Sequence, residues 1–169
     1  MKATILYGAR DVRFEEREDP KIIKPTDTII KMSATCICGS DLWSYRGISP
    51  VAKPTPFGHE YCGIVEEVGS AVKLIKPGQF VIGSFFASDN TCPNCKNGYQ
   101  TSCEQREPVG GAQAPYLRVP LADGTLAVTP EIPSDEIIPN MLALSDVMGT
   151  GWFAADAANV KPGATIVVV

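Results

Sequence analysis

Histidine is almost missing from this chain: among 169 residues, His59 is the only one. Any imidazole chemistry therefore rests on that position. Positive charge is not in excess either, with 15 Lys and Arg against 19 Asp and Glu and a net charge of −4. No basic patch stands out, which argues against nucleic acid as a partner. Long apolar runs are lacking: none approaches the roughly 18 residues that a membrane-spanning helix needs. The start, MKATILYGARDVRF, has no extended apolar stretch and no small-residue cleavage site, so no signal peptide is read there. The expectation is a cytoplasmic protein with reduced thiols. Also absent is a Gly-x-Gly-x-x-Gly turn, which seats a dinucleotide pyrophosphate at a helix N-terminus.

What is present begins with six cysteines, which in a reducing setting point to metal more than to disulfides. A hydrophobic content of 44% is enough for a core. Fourteen prolines and fifteen glycines favour many short strands and turns over a helical bundle. Strands are expected at Ala3–Tyr7, Asp11–Arg17, Asp27–Cys36, Tyr61–Gly69, Phe80–Ile82, Tyr116–Val119 and Thr125–Val128. Gly63, inside one of them, marks a bulge or a close backbone approach. Ser40 is placed to cap a short helix through Leu42 and Trp43 to Tyr45. Residues 133–144 and 147–158 read as helical. The terminal run Ala164–Val169 reads as a buried parallel strand, the start of a second domain cut short.

Two constellations carry chemistry. The stretch Cys36–Glu60 holds Cys36, Cys38, Asp41, His59 and Glu60. A thiolate, an imidazole and one further ligand, with a fourth position open, form a catalytic zinc site. Glu60 and a distant Asp or Cys are the further candidates. The competing reading makes Cys36, Cys38 and Cys62 small buried hydrophobes and His59 a satisfied core residue. The second constellation is Asp89-x2-Cys92-x2-Cys95-x7-Cys103.

Three segments bear on the choice: Cys-Gly-Ser-Asp at 38–41, Gly-His-Glu at 58–60 and Gly-x-Val-x-x-Val-Gly at 63–69. With the cysteine loop and the closing Lys-Pro-Gly-Ala-Thr-Ile-Val-Val-Val, they resemble the zinc-dependent medium-chain alcohol dehydrogenases in order and spacing. The resemblance implies a mainly β, GroES-like, partly open barrel with short helices. It implies a catalytic domain over 1–144 and, over 145–169, the helix and first strand of a truncated Rossmann domain.

Roles follow by resemblance, residue by residue. Cys38, His59 and Asp146 match the catalytic zinc ligands; many members have Cys at the third place, and Asp146 resembles the formaldehyde-dehydrogenase-like branch. Glu60 matches an alternate ligand, Ser40 the hydroxyl that takes the alcohol proton, and Asp41 the carboxylate that orients the zinc histidine. Thr150 matches a contact to the nicotinamide. Asp89, Cys92, Cys95 and Cys103 match a structural zinc lobe, with Asp89 standing where the family usually has a fourth cysteine. Cys36 falls to the strand core, and Trp43 is either a pocket wall or core. The implied activity is hydride transfer between an alcohol and NAD or NADP, giving an aldehyde or ketone, in a full-length homo-oligomer. Two rivals remain: a non-catalytic zinc-binding module and a zinc-free quinone-reductase-like relative.

Overall fold

The computed structural model describes residues 1–168. Two strands, β1 (Lys2–Gly8) and β2 (Asp11–Glu16), form an antiparallel hairpin, and β4 (Thr55–Pro56) pairs with the other edge of β1. The main sheet has five antiparallel strands in the order β10 (Leu126–Val128), β6 (Phe80–Gly83), β5 (Tyr61–Val68), β3 (Thr28–Thr35), β9 (Tyr116–Val119). A two-strand ladder joins β7 (Phe86–Ala87) to β8 (Glu107–Pro108). The described residues also form five short α-helices, α1 (Asp41–Tyr45), α2 (Pro93–Lys96), α3 (Ala122–Thr125), α4 (Ile138–Ala143) and α5 (Val147–Ala157), and a 3-10 turn at Gln100–Ser102.

Alternation along the strands builds two apolar layers. Tyr61 and Val65 of β5, Val81 of β6 and Ile30 of β3 face the main core with Leu117, Val119 and Leu126. Cys62, Phe80 and Ile82 face the opposite side and pack under Leu142 of α4. Burying these side chains is the main drive for collapse, each worth about 1.5–3 kcal/mol.

The register of β3 shifts between Met32 and Ala34. Ile30 and Met32 pack with the main core, whereas Ala34 and Cys36 pack with the α4 layer. One extra residue inverts the face of everything that follows. Gly63 lies opposite Met32, where a Cβ would sit 2.1 Å from the Lys31 carbonyl oxygen. The close approach expected at this glycine is present.

Beneath the sheet edge, Asp27 is fully buried. Its Oδ2 accepts hydrogen bonds from Arg118 Nε at 2.6 Å and from the Ile23 and Lys24 amides at 3.0 and 2.7 Å. Burial alone would raise its pKa, but Arg118 and the two amides outweigh it and hold the carboxyl below its usual range. Oδ1 has no partner among the described residues.

Three expectations change. Ser40 occupies the N-cap position of α1 but makes no side-chain cap bond, its backbone being already helical at φ −65°, ψ −32° where a capping residue is normally extended. The helix expected over 133–144 is confined to Ile138–Ala143. Residues 164–168 form no strand, and Val169 lies outside the described residues. A lone apolar segment has no neighbouring edge to hydrogen-bond and cannot form a ladder.

Candidate metal centre and its surroundings

The register of the central pair assembles the site. Thr35, the last residue of β3, pairs with Tyr61, the first of β5. Cys38 lies just past one strand end, and His59 and Glu60 lie just before the other, so the antiparallel ladder brings them together. Thr35 Oγ1 donates to the Glu60 carbonyl at 2.9 Å and pins this junction. Asp146 arrives from the opposite side, carried by α4 as Leu142 docks against the sheet. The inverted end of β3 turns toward that same side.

Cys38, His59, Glu60 and Asp146 each offer a donor atom, and the four atoms lie within 4.8 Å of one another. Asp146 Oδ2 is 3.4 Å from His59 Nε2 and 3.6 Å from Cys38 Sγ. On the far side of the ring, His59 Nδ1 is 3.2 Å from Asp41 Oδ1, while Asp41 Oδ2 accepts from the Cys38 amide at 2.9 Å. Asp41 therefore ties the histidine to the cysteine loop and leaves Nε2 facing the cluster. The hydrogen bond to Asp41 raises the pKa of His59 to about 9, with burial opposing it and Cys38 adding to it. Metal binding at Nε2 would have to displace that proton. The Ser40 hydroxyl is 3.5 Å from the same nitrogen.

Glu60 is 2% exposed and reaches the cluster from beneath. Cys36 packs in the α4 layer outside the donor set, and burial, reinforced by Glu60, pushes its thiol up to about 12. Trp43 is 58% exposed, so it is not core. Two cavities flank the cluster. One, of about 450 Å³, has Ser40, Asp41 and His59 in its lining. The other, of about 660 Å³, is walled by Phe85, Tyr99, Leu144 and Phe153 and contains Asp146 and Thr150. Thr150 Oγ1 donates to Asp146 Oδ1 at 3.3 Å. Sequence reading missed Phe85, whose ring meets His59 edge-on at 6.0 Å between centroids. No spacing rule links an aromatic on one loop to a histidine on another.

A second donor group sits apart. Asp89, Cys92, Cys95 and Cys103 also place one donor each within 4.8 Å of the others. Cys92 caps α2, accepting at Sγ from the Cys95 amide at 3.5 Å, and Cys103 Sγ accepts from the Asp89 and Gln105 amides at 3.4 and 3.3 Å. Backbone hydrogen bonds from Glu104 and Cys95 lower the thiol pKa of Cys92, whereas burial pushes that of Cys95 up to about 12. Asp89 Oδ1 accepts from the Thr91 and Cys92 amides, which hold its carboxyl well below the usual range.

Comparison with known proteins decides the family. The profile of the alcohol dehydrogenase GroES-like domain matches residues 24–131. The chain belongs to that family. It is 39% identical to zinc-type alcohol dehydrogenase B of Aspergillus flavus, over 94% of this chain and 37% of that protein. Identity is 38% to the zinc-type alcohol dehydrogenase-like protein AdhB of Bacillus subtilis, over 100% of this chain and 49% of that one. Among solved structures, alcohol dehydrogenase TADH from Thermus sp. ATN1 superposes with a TM-score of 0.87 at 31% identity, over 96% of this chain and 49% of that one. The chain thus spans half or less of the length of these alcohol dehydrogenase relatives. The mainly β, GroES-like class expected from the motifs is the fold found.

Proposed function

We propose that this chain is the metal-bearing catalytic part, residues 1–144 with the linking segment 145–169, of an oxidoreductase that moves hydride between an alcohol and NAD or NADP. The observation that carries the reading is the meeting of Cys38, His59 and Asp146 at one point, with Asp41 behind the histidine. Thiol, imidazole and carboxylate are a donor set that suits zinc, and three protein donors leave a position for substrate. Zinc held there supplies Lewis acidity to an alcohol oxygen and lowers the alcohol's pKa.

The chain's own side chains do the rest. Asp41 fixes the ring of His59 so that Nε2 is the ligating nitrogen. Ser40, within reach of the same point and on the wall of the 450 Å³ cavity that receives the alcohol, accepts the alcohol proton. The apolar 660 Å³ cavity, with Thr150 on its wall, suits the nicotinamide ring and keeps water from the hydride path. Glu60 stands as a buried alternate ligand. Asp89, Cys92, Cys95 and Cys103 hold a second, structural zinc.

Two measurements test this. The whole protein carrying the chain should reduce NAD or NADP only when an alcohol is supplied, and lose that activity on chelation; turnover that survives full removal of zinc would favour the zinc-free relative. Asp41→Asn should weaken zinc binding at Cys38–His59 by about 10–100-fold, read by competition with a chromophoric chelator. An unchanged affinity would remove Asp41 from its role.

A further inference from the structure

The 450 Å³ cavity lined by Ser40 and His59 is also lined by Val51, Phe57 and Lys53. Lys53 is the only lysine or arginine on that wall. The only carboxylate there, Asp41, is committed to His59 and to the Cys38 amide. Among the described residues Lys53 enters no ion pair. Its backbone is held in place, since Thr55 Oγ1 donates to the Lys53 carbonyl at 2.9 Å. A cation without an ion-pair partner among the described residues, on the wall that also holds Ser40 and His59, attracts opposite charge into the cavity. The volume lies in the range of small-molecule sites.

We propose that Lys53 selects alcohols that carry an anionic group, carboxylate or phosphate, at the end remote from the reacting hydroxyl. This rests on the reading of the cavity as the alcohol side of the metal centre. The hydroxyl is directed to the cluster beside Ser40, and the anion is held by the ammonium. Because Lys53 is exposed, water screens the attraction, and the selectivity is modest.

The test titrates the zinc-loaded chain with 4-hydroxybutyrate, glycerol 3-phosphate and 1-butanol, followed by amide chemical shifts. Each anionic probe is expected to bind about fivefold tighter than 1-butanol, as suits one exposed charge pair. In Lys53→Met the ratio should fall to about one, while Lys53→Arg keeps it above one. Comparing the two anionic probes separates carboxylate from phosphate preference. A ratio near one in the unaltered chain overturns the proposal. So does a ratio that survives Lys53→Met, since the anion would then sit on the metal. If 1-butanol shifts the Ser40 and His59 amides only when zinc is present, yet no anion preference is seen, the selectivity alone fails. If no probe gives a zinc-dependent shift, the cavity is not the alcohol side and both readings fall.

Discussion

Asp146→Ala should empty the Cys38–His59 centre of zinc while the Cys92–Cys95–Cys103 lobe keeps its ion. Metal analysis after dialysis against a weak chelator should then read one zinc per chain in place of two. The argument is geometric. Asp146 is the one donor that approaches the centre from the α4 side, and its Oδ2 lies close to both His59 Nε2 and Cys38 Sγ. Without it, a thiolate and an imidazole remain, with Glu60 the only nearby substitute. Glu60 reaches the cluster from its buried side, so an affinity is the better readout than bare occupancy. Losing a direct ligand should cost more than the upper end of the range for supporting residues, about 100-fold. Retention of both ions at unaltered affinity would show that Asp146 is only a charge at the start of α5, where a carboxylate is favourable on electrostatic grounds alone.

The second large effect lies away from the metal. Arg118→Met leaves the carboxylate of Asp27 buried without its cation, and one oxygen of that carboxylate already lacks a partner. Removing one member of a buried pair costs about 3 kcal/mol or more. For a domain of this size that is about 10 °C in melting temperature. The acid side carries the sign. Asp27 has a lowered folded pKa, so its contribution is fully present above its unfolded value near pH 4 and is lost as pH falls through the folded value. The unaltered chain should therefore lose stability on acidification below about pH 4 more steeply than Arg118→Met, whose Asp27 has lost its main reason to stay ionised. Thermal melts across that range check both claims, and equal melting temperatures at neutral pH would refute the first.

Elements with a strong local pattern were legible in the sequence. The long strands β3 and β5 and the glycine between Cys62 and Ile64 follow from alternation and β-branching, and their bounds fall within a residue or two. The two-residue strands β4, β7 and β8 were not legible, because two residues have no period. The donor residues were visible as residue types in suggestive spacing. That Cys38 meets Asp146 across 108 positions was not visible from spacing; it came from family resemblance, and the structure places the two in contact. Physical pattern could not have supplied it, since the approach depends on Leu142 docking against Cys62, Phe80 and Ile82. The Asp27–Arg118 pair was missed for a similar reason. Asp27 reads as the first residue of one strand and the arginine in Tyr-Leu-Arg-Val as the solvent face of another, and neither pattern pairs the two.

Helix α5 contains no buried residue. An isolated helix of its 11 residues is marginal in water, and two of its positions are glycine. Its amides should fall at the unprotected end of native-state hydrogen exchange, opening with little of the global unfolding free energy. Asp146 is the residue from which this helix starts. Cys38 and His59 thus flank the β3–β5 ladder, whereas Asp146 heads a helix with no buried residue in this chain. Local opening of α5 would release Asp146 without unfolding the sheet, and a surface laid over that helix would lengthen the residence time of a bound ion.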